Sequence, residues 1–408
     1  MKYYFWLVKR NSVWPTALTM AAAILLLSSG SEKAAANCSG SPCNMPTENT
    51  SAGPAVSTVA TLPTLMAVKT QKIMGLVGAV TAEAAAAMKS SGGSAPSDGG
   101  VKVAGSSYAP EEPGLNGFWD KNVKRKVKSG DLDPGALPAN YNVWLEGYGI
   151  SSRHGQQDDF AGNRSRTSGV IAGVGKIIAP GITVGLLIDR SHTNITVNNA
   201  SQTGKVDLTQ FGALASFNRG AWNLSGTVVY GIGNIHTERT EAGISTASYG
   251  VRVWSGAGQL SYLYALPNNS RIIPKLTLDW TQIRTDAFSE SGGDLPVTGS
   301  SITSSRIRSL LTTEIGHSWI AGRTIMDISA YGRLVNNLSQ SLGSIQVTDT
   351  GGIPTVVSGV RESKIGADTG VKLTANLTKQ LNFFAAYDGQ FRSNFEAHTG
   401  TVGANYRF

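Results

Sequence analysis

The residue types that carry catalysis or bind metals are few in this chain of 408 residues, and they are scattered. The five histidines stand singly at 154, 192, 236, 317 and 398. A metal site gathers several His, Cys or carboxylate ligands, and no such cluster is legible. Each histidine reads as a surface or lumen polar residue. The two cysteines, Cys38 and Cys43, have Pro42 between them and no histidine near. They suit a small disulfide loop in an oxidising compartment or a pair of free thiols. Residues 37–114 hold no Gly-x-Ser-x-Gly elbow and no His-Asp-Ser set. No enzymatic activity, metal or cofactor is expected.

The remaining candidate chemistry is electrostatic. Residues 117–128 carry Lys121, Lys124, Arg125, Lys126 and Lys128, and they read as a helix ending near Ser129-Gly130. A basic run of this kind suits nucleic acid, an anionic membrane or plain solvent. What surrounds it has to choose among these.

Composition narrows the surroundings. Charged residues make up only 15% of the chain, with a net charge of +8, and glycines number 48. Soluble domains carry about 25% charge and ~7% glycine. Low charge and abundant glycine suit a β-rich chain with many turns. Residues 1–36 read as an export signal. Lys2, Lys9 and Arg10 precede the apolar run Ala17 to Leu27, and Ala34-Ala35-Ala36 offers a small-residue cleavage site. Residues 37–114 read as a short, low-complexity passenger and linker, with a helix expected over 65–88. Residues 115–140 hold the basic helix and a lead-in, and 141–408 form the main domain.

From Asn142 onward the chain alternates with period two, the mark of strands between unlike environments. Twelve segments are expected: 142–152, 165–179, 182–194, 204–218, 222–236, 248–265, 271–285, 306–319, 324–336, 362–375, 381–391 and 396–408. In one of them Trp222, Leu224, Val228, Tyr230 and Ile232 oppose Asn223, Ser225 and Thr227. Segment 204–218 alternates poorly, with Leu208 and Leu214 on the polar parity. The connections run long and short in turn. The short ones carry turn residues: Pro180-Gly181, Arg219-Gly220, Asn268-Asn269 and Ala321-Gly322. A sandwich has no reason for such alternation. An outer-membrane barrel does, with short turns at one end, long loops at the other and an even strand number. The longest connections, 286–305 and 337–361, are expected to face outside. The polar parity then places Glu146, Asp279, Glu314, Asp327, Asp368 and Asp388 in the lumen.

Two stretches resemble a known family. Val143-Trp144-Leu145-Glu146-Gly147-Tyr148-Gly149 resembles the opening strand of bacterial autotransporter (type V secretion) β-domains. Gly403-Ala404-Asn405-Tyr406-Arg407-Phe408 resembles the closing strand. The resemblance covers residues 117–408. It implies an all-β fold: a 12-stranded antiparallel outer-membrane barrel with an N-terminal helix in the lumen, translocating a passenger. It also implies that Gly403, Tyr406 and Phe408 form the signal read by the barrel-assembly machinery.

The expected function is therefore a monomeric translocator barrel in the bacterial outer membrane that exports or displays a short N-terminal segment. Its partners are outer-membrane lipid, the assembly machinery and periplasmic chaperones, with no nucleic acid. The basic run becomes a lumen plug held by the acids, or else a solvated linker on the periplasmic side. The alternative function is a porin-like channel or a surface adhesin acting through its loops.

Overall fold

The computed structural model describes residues 141–408 other than 157–161, 199–201, 241–242, 323, 342, 353, 359–360 and 379. The expected signal peptide, the cysteines and the helices at 65–88 and 117–128 lie outside these residues. No helix occurs among the described residues.

Twelve long strands build the domain. They are β1 (Tyr141–His154), β2 (Asn163–Ala179), β3 (Ile182–Val197), β4 (Gln202–Arg219), β5 (Trp222–Arg239), β6 (Ser245–Tyr262), β8 (Ser270–Thr285), β11 (Ile302–Ala321), β12 (Thr324–Ser341), β15 (Ile365–Asn376), β16 (Leu381–Arg392) and β17 (Phe395–Arg407). Each pairs antiparallel with the next, and β17 pairs back onto β1, from Asn142 opposite Arg407 to His154 opposite Phe395. The sheet therefore has no open edge among its long strands. Closure satisfies backbone polar groups in a medium that offers no water to do so.

The turns at one end follow the residues that favour them. Gly181, Gly220 and Gly322 adopt positive φ of 76°, 60° and 64°. Asn268 and Asn269, at φ 59° and 55°, join the short β7 (Tyr264–Leu266) to β8. Asparagine tolerates this left-handed region better than other side chains.

At the opposite end, the connections 286–301 and 342–364 are not bare loops. They supply β9 (Phe288–Ser289), β10 (Thr298–Gly299), β13 (Ser344–Thr348) and β14 (Pro354–Ser358). These form a second sheet in the order β14-β13-β10-β9. Strands of two to five residues are too short to show periodicity, so the sequence reads them as loop. β11 and β12 also run further into the long-loop end than the segments expected there.

The wall is inside-out relative to a soluble protein. On β5, Trp222, Leu224, Val228 and Ile232 are 47–55% exposed, while Asn223, Ser225 and Thr227 are buried inside. That apolar face ends at Ile232. Trp222 to Ile232 spans about 33 Å at ~3.3 Å per residue. With a strand tilt of ~40° this becomes about 25 Å, the height of an outer-membrane barrel's apolar band. Aromatic residues mark both margins. Trp222 stacks edge-on with Tyr262 at 4.8 Å on the short-turn side, and Tyr230 meets Trp254 at 4.7 Å on the other.

Beyond Ile232 the polarity reverses. Asn234, His236 and Glu238 point outward, and Ile235 is fully buried inside. The same switch occurs on β4, where Lys205 and Asp207 face out and Val206 and Leu208 face in. On β6, Arg252 faces out and Tyr249, Val251 and Val253 face in. The strands thus continue past the membrane into a crown whose interior is apolar. This accounts for Leu208 on the inner parity. Leu214, also inside, packs with Trp144, Leu187 and Val229 lower in the barrel.

Candidate functional site: the barrel lumen

The inward side chains are mostly polar, and large ones face glycine on the next strand. Trp144 lies opposite Gly173, and Tyr148 lies opposite Gly169. A Cβ at either glycine would collide with the aromatic ring across from it. The indole and phenol therefore lie flat over glycine backbone, and the Tyr148 hydroxyl reaches across to donate to Asp189 at 2.7 Å.

Most of the inward charges occupy one wall, formed by β8, β11, β12, β15 and β16. Asp279 accepts two bonds from Arg308, at 2.9 and 2.6 Å. Asp327 accepts from the Arg271 guanidinium at 2.8 Å and from the Ser318 hydroxyl at 2.6 Å. Glu314 pairs with Lys275 at 2.6 Å and lies 3.7 Å from Arg271. Asp368 holds Arg392 at 2.7 Å and Arg333 at 3.4 Å. Asp388 accepts from the Tyr331 hydroxyl. Glu146 is buried inside β1. Nearer the long-loop end Arg306 pairs with Glu362. The facing wall, β2 to β6, is lined mostly by neutral groups such as Thr167 with Thr193 and Asn223 with Asn218, each at 2.7 Å, its buried charges being Asp189 on β3 and, in the crown, Arg239 on β5.

The structure thus places all six acids inside and sets wall cations against four of them, Asp279, Glu314, Asp327 and Asp368. Those cations, Arg271, Lys275, Arg308, Arg333 and Arg392, were not singled out from the sequence. The signal was present, because each shares its strand parity with an acid on the same or a neighbouring strand. Ion pairing within the wall offsets the charge that each acid would otherwise present to the lumen. A lining whose charges are mostly paired presents little unbalanced charge of either sign to the lumen.

The crown closes over this lumen. Phe288 of β9 stacks on Tyr249 of β6 at 5.1 Å. Val297, Ile302, Ile345 and Val347 join Ile195, Val206, Leu208, Ile235, Val251, Val253 and Ile283 in one buried cluster. Burial, with the Glu290 carboxylate adding to it, pushes the Tyr249 phenol above its usual range.

The histidines are dispersed. His154 is inside against Phe395, with ring centroids 4.6 Å apart. His192, His236, His317 and His398 face outward, bonded to Asp207, Ser248, Ser270 and Tyr387 respectively. Among the described residues no three His, Cys, Asp or Glu side chains are grouped to hold a metal. Tyr406 faces outward and stacks edge-on with Phe408 at 4.7 Å. Gly403 lies across from Phe384 of β16.

A family model described as the autotransporter β-domain matches residues 143–388. The chain belongs to that family. The autotransporter barrel is also similar in sequence to Outer membrane protein A of Rickettsia rickettsii, 22% identical over 329 residues, covering 75% of this chain and 14% of that protein. Outer membrane protein B of Rickettsia conorii is 20% identical over 295 residues, covering 66% of this chain and 17% of that protein. The chain thus spans less than a fifth of the length of these relatives. In fold it is similar to the translocator domain of the autotransporter NalP from Neisseria meningitidis. The TM-score is 0.55 at 18% identity, with 68% of this chain and 91% of that one covered. The chain carries an integral outer-membrane β-barrel of the autotransporter family.

Proposed function

We propose that this autotransporter barrel exports the segment N-terminal to it, residues 37–114, and displays it on the cell surface, with residues 117–128 seated as a basic helix in the lumen. The carrying observation is a closed barrel whose apolar band faces lipid and whose lumen is polar. The work is physical: the wall supplies a hydrophilic path across a layer that a polypeptide's backbone otherwise crosses at high cost. The long-loop end faces outside, and the short turns face the periplasm. Barrel-assembly machinery and periplasmic chaperones deliver the chain, and outer-membrane lipid surrounds it as a monomer. The apolar cluster across the long-loop mouth argues against a permanently open porin-like channel.

Epitope tags placed after Ser94 and after Gly351 test this reading. Antibody reaches both on intact cells if the N-terminal segment is exported and the long loops face outside. A heat-modifiable, assembled barrel whose Ser94 tag is reached only after permeabilisation overturns export. The same result for the Gly351 tag reverses the orientation.

A further inference from the structure

We propose that residues 286–301 are a movable lid over the long-loop mouth, shut in this structure and latched by the Arg239–Glu290 ion pair. The segment leaves β8 at Thr285 and rejoins the barrel at Ile302. Its side chains alternate. Phe288, Glu290, Val297 and Gly299 are buried, while Ser289, Thr298 and Ser300 are exposed. The buried face meets the inner face of the crown, not lipid and not the polar lumen.

Its attachments differ in kind from those of the barrel strands. A barrel strand such as β5 pairs along its whole length with both neighbours, from Trp222 to Arg239. The lid pairs internally, β9 with β10, and onward to β13. Backbone bonds hold it to the wall at two places. The amides of Thr246 and Ser291 exchange bonds at 2.9 and 2.8 Å, and the Asp286 amide donates to the Gly250 carbonyl at 3.0 Å. The rest is the Ser245 hydroxyl donating to the Gly292 carbonyl at 3.1 Å, an exposed Arg252–Asp286 pair at 3.7 Å, the Phe288–Tyr249 stack, apolar packing and the latch. The lid can therefore lift without unpairing a barrel strand. Gly292 and Gly293, at φ 81° and 65°, supply backbone that bends readily at its tip.

The latch is built for the shut state. Arg239 and Glu290 side chains are 2% and 1% exposed, with 2.7 Å between Nη2 and Oε2. The same Nη2 donates to the Leu295 carbonyl at 2.7 Å. The Val297 amide donates to the same Glu290 oxygen at 3.3 Å. Every one of these partners except Arg239 belongs to the lid. With Glu290 removed, shutting the lid would bury the Arg239 guanidinium without a carboxylate partner, so the open state, where water solvates it, gains population.

The test uses the purified full chain in detergent, so it stands whichever way the barrel faces and whatever occupies its lumen. Cys38 and Cys43 are changed to Ser, and Val297→Cys introduces one thiol under the lid. A bulky polar maleimide is expected to react at least tenfold faster when Glu290→Ala is added, and at an unchanged rate with the outward-facing Glu238→Ala. Equal rates with and without Glu290→Ala overturn the latch. Hydrogen exchange on the unaltered chain gives a second readout that needs no variant. Amides of 288–299 are expected to exchange together, at least tenfold faster than those of β8 and β11 around Asp279 and Arg308. Equal protection of the two groups overturns the lid.

Discussion

The amide of Phe408 donates to the carbonyl of Tyr141 at 2.9 Å, which fastens the end of the closing strand to the start of the opening one. The Tyr406 ring packs edge-on against Phe408 beside this bond, and Val143 opposite Tyr406 continues the seam. Seam closure converts an open sheet with two bare edges into a barrel. Phe408→Ser removes the aromatic pair at the point where the seam starts. Heat-modifiable protein recovered from outer membranes is expected to fall at least tenfold. Wild-type recovery of the variant would remove any role for this residue in assembly.

Gly173→Ala tests the packing of the lumen. The new methyl group falls on the Trp144 indole across the β1–β2 pair. Either the ring leaves its position or the strands separate, at a cost of about 1–3 kcal/mol. Gly147→Ala, in open space on the outer face of β1, is the control. Denaturant titration of both variants in vesicles is expected to destabilise the first by that amount and the second by much less.

Asp279→Ala leaves the Arg308 guanidinium buried without its carboxylate partner. Both side chains are 3% exposed or less. Removing one member of a buried pair costs about 3–5 kcal/mol. Asp279→Ala combined with Arg308→Met restores part of that loss, because the double change removes both charges. If the two single variants and the double variant are equally stable, the pair is solvated and carries little energy.

Depth along β5 gives a further test. Val228 sits mid-band, and Trp222 sits at its margin. Arginine on the lipid face costs ~2–4 kcal/mol at the midplane and ~0–1 near an interface. Val228→Arg is therefore expected to lower folding stability in vesicles by the larger amount and Trp222→Arg by the smaller. Glu238→Arg lies beyond the band and is expected to change little. A flat profile over these three positions would remove the assignment of the apolar band.

Much of this architecture is legible from alternation alone. The parities of β5, β15 and β16 assign Leu224, Val371 and Phe383 to lipid and Asn223, Asp368 and Gln390 to the lumen, as the structure has them. Turn residues such as Asn268 and Gly322 mark one end because their backbone conformation demands them. Three things escape this reading. The crown reverses the parity rule: a strand that leaves the membrane exchanges lipid for water outside, so Val206 and Ile235 turn inward on the lumen parity. The cap strands are too short to alternate, and only tertiary packing of Phe288 and Val297 reveals them. The wall cations escape for a different reason. Parity gives their face, but the pairing of Arg308 with Asp279 depends on register, which sequence alone does not supply.

That wall pairing sharpens what the basic segment is expected to do. Residues 117–128 as a helix reach ~18 Å at 1.5 Å per residue, a little over half of the ~30 Å hydrocarbon thickness. Asp279, Glu314, Asp327 and Asp368 already hold cations of their own wall. A helix in the lumen therefore meets ion pairs, not bare carboxylates, and its lysines gain only the residual attraction of a wet, partly screened surface. Changing Lys124, Arg125, Lys126 and Lys128 together to Glu is expected to loosen the helix and raise single-channel conductance. Its effect on thermal stability should be smaller than that of Asp279→Ala, since no wall pair is broken. Unchanged conductance together with unchanged thermal stability would place the segment outside the lumen, as a solvated linker on the periplasmic side.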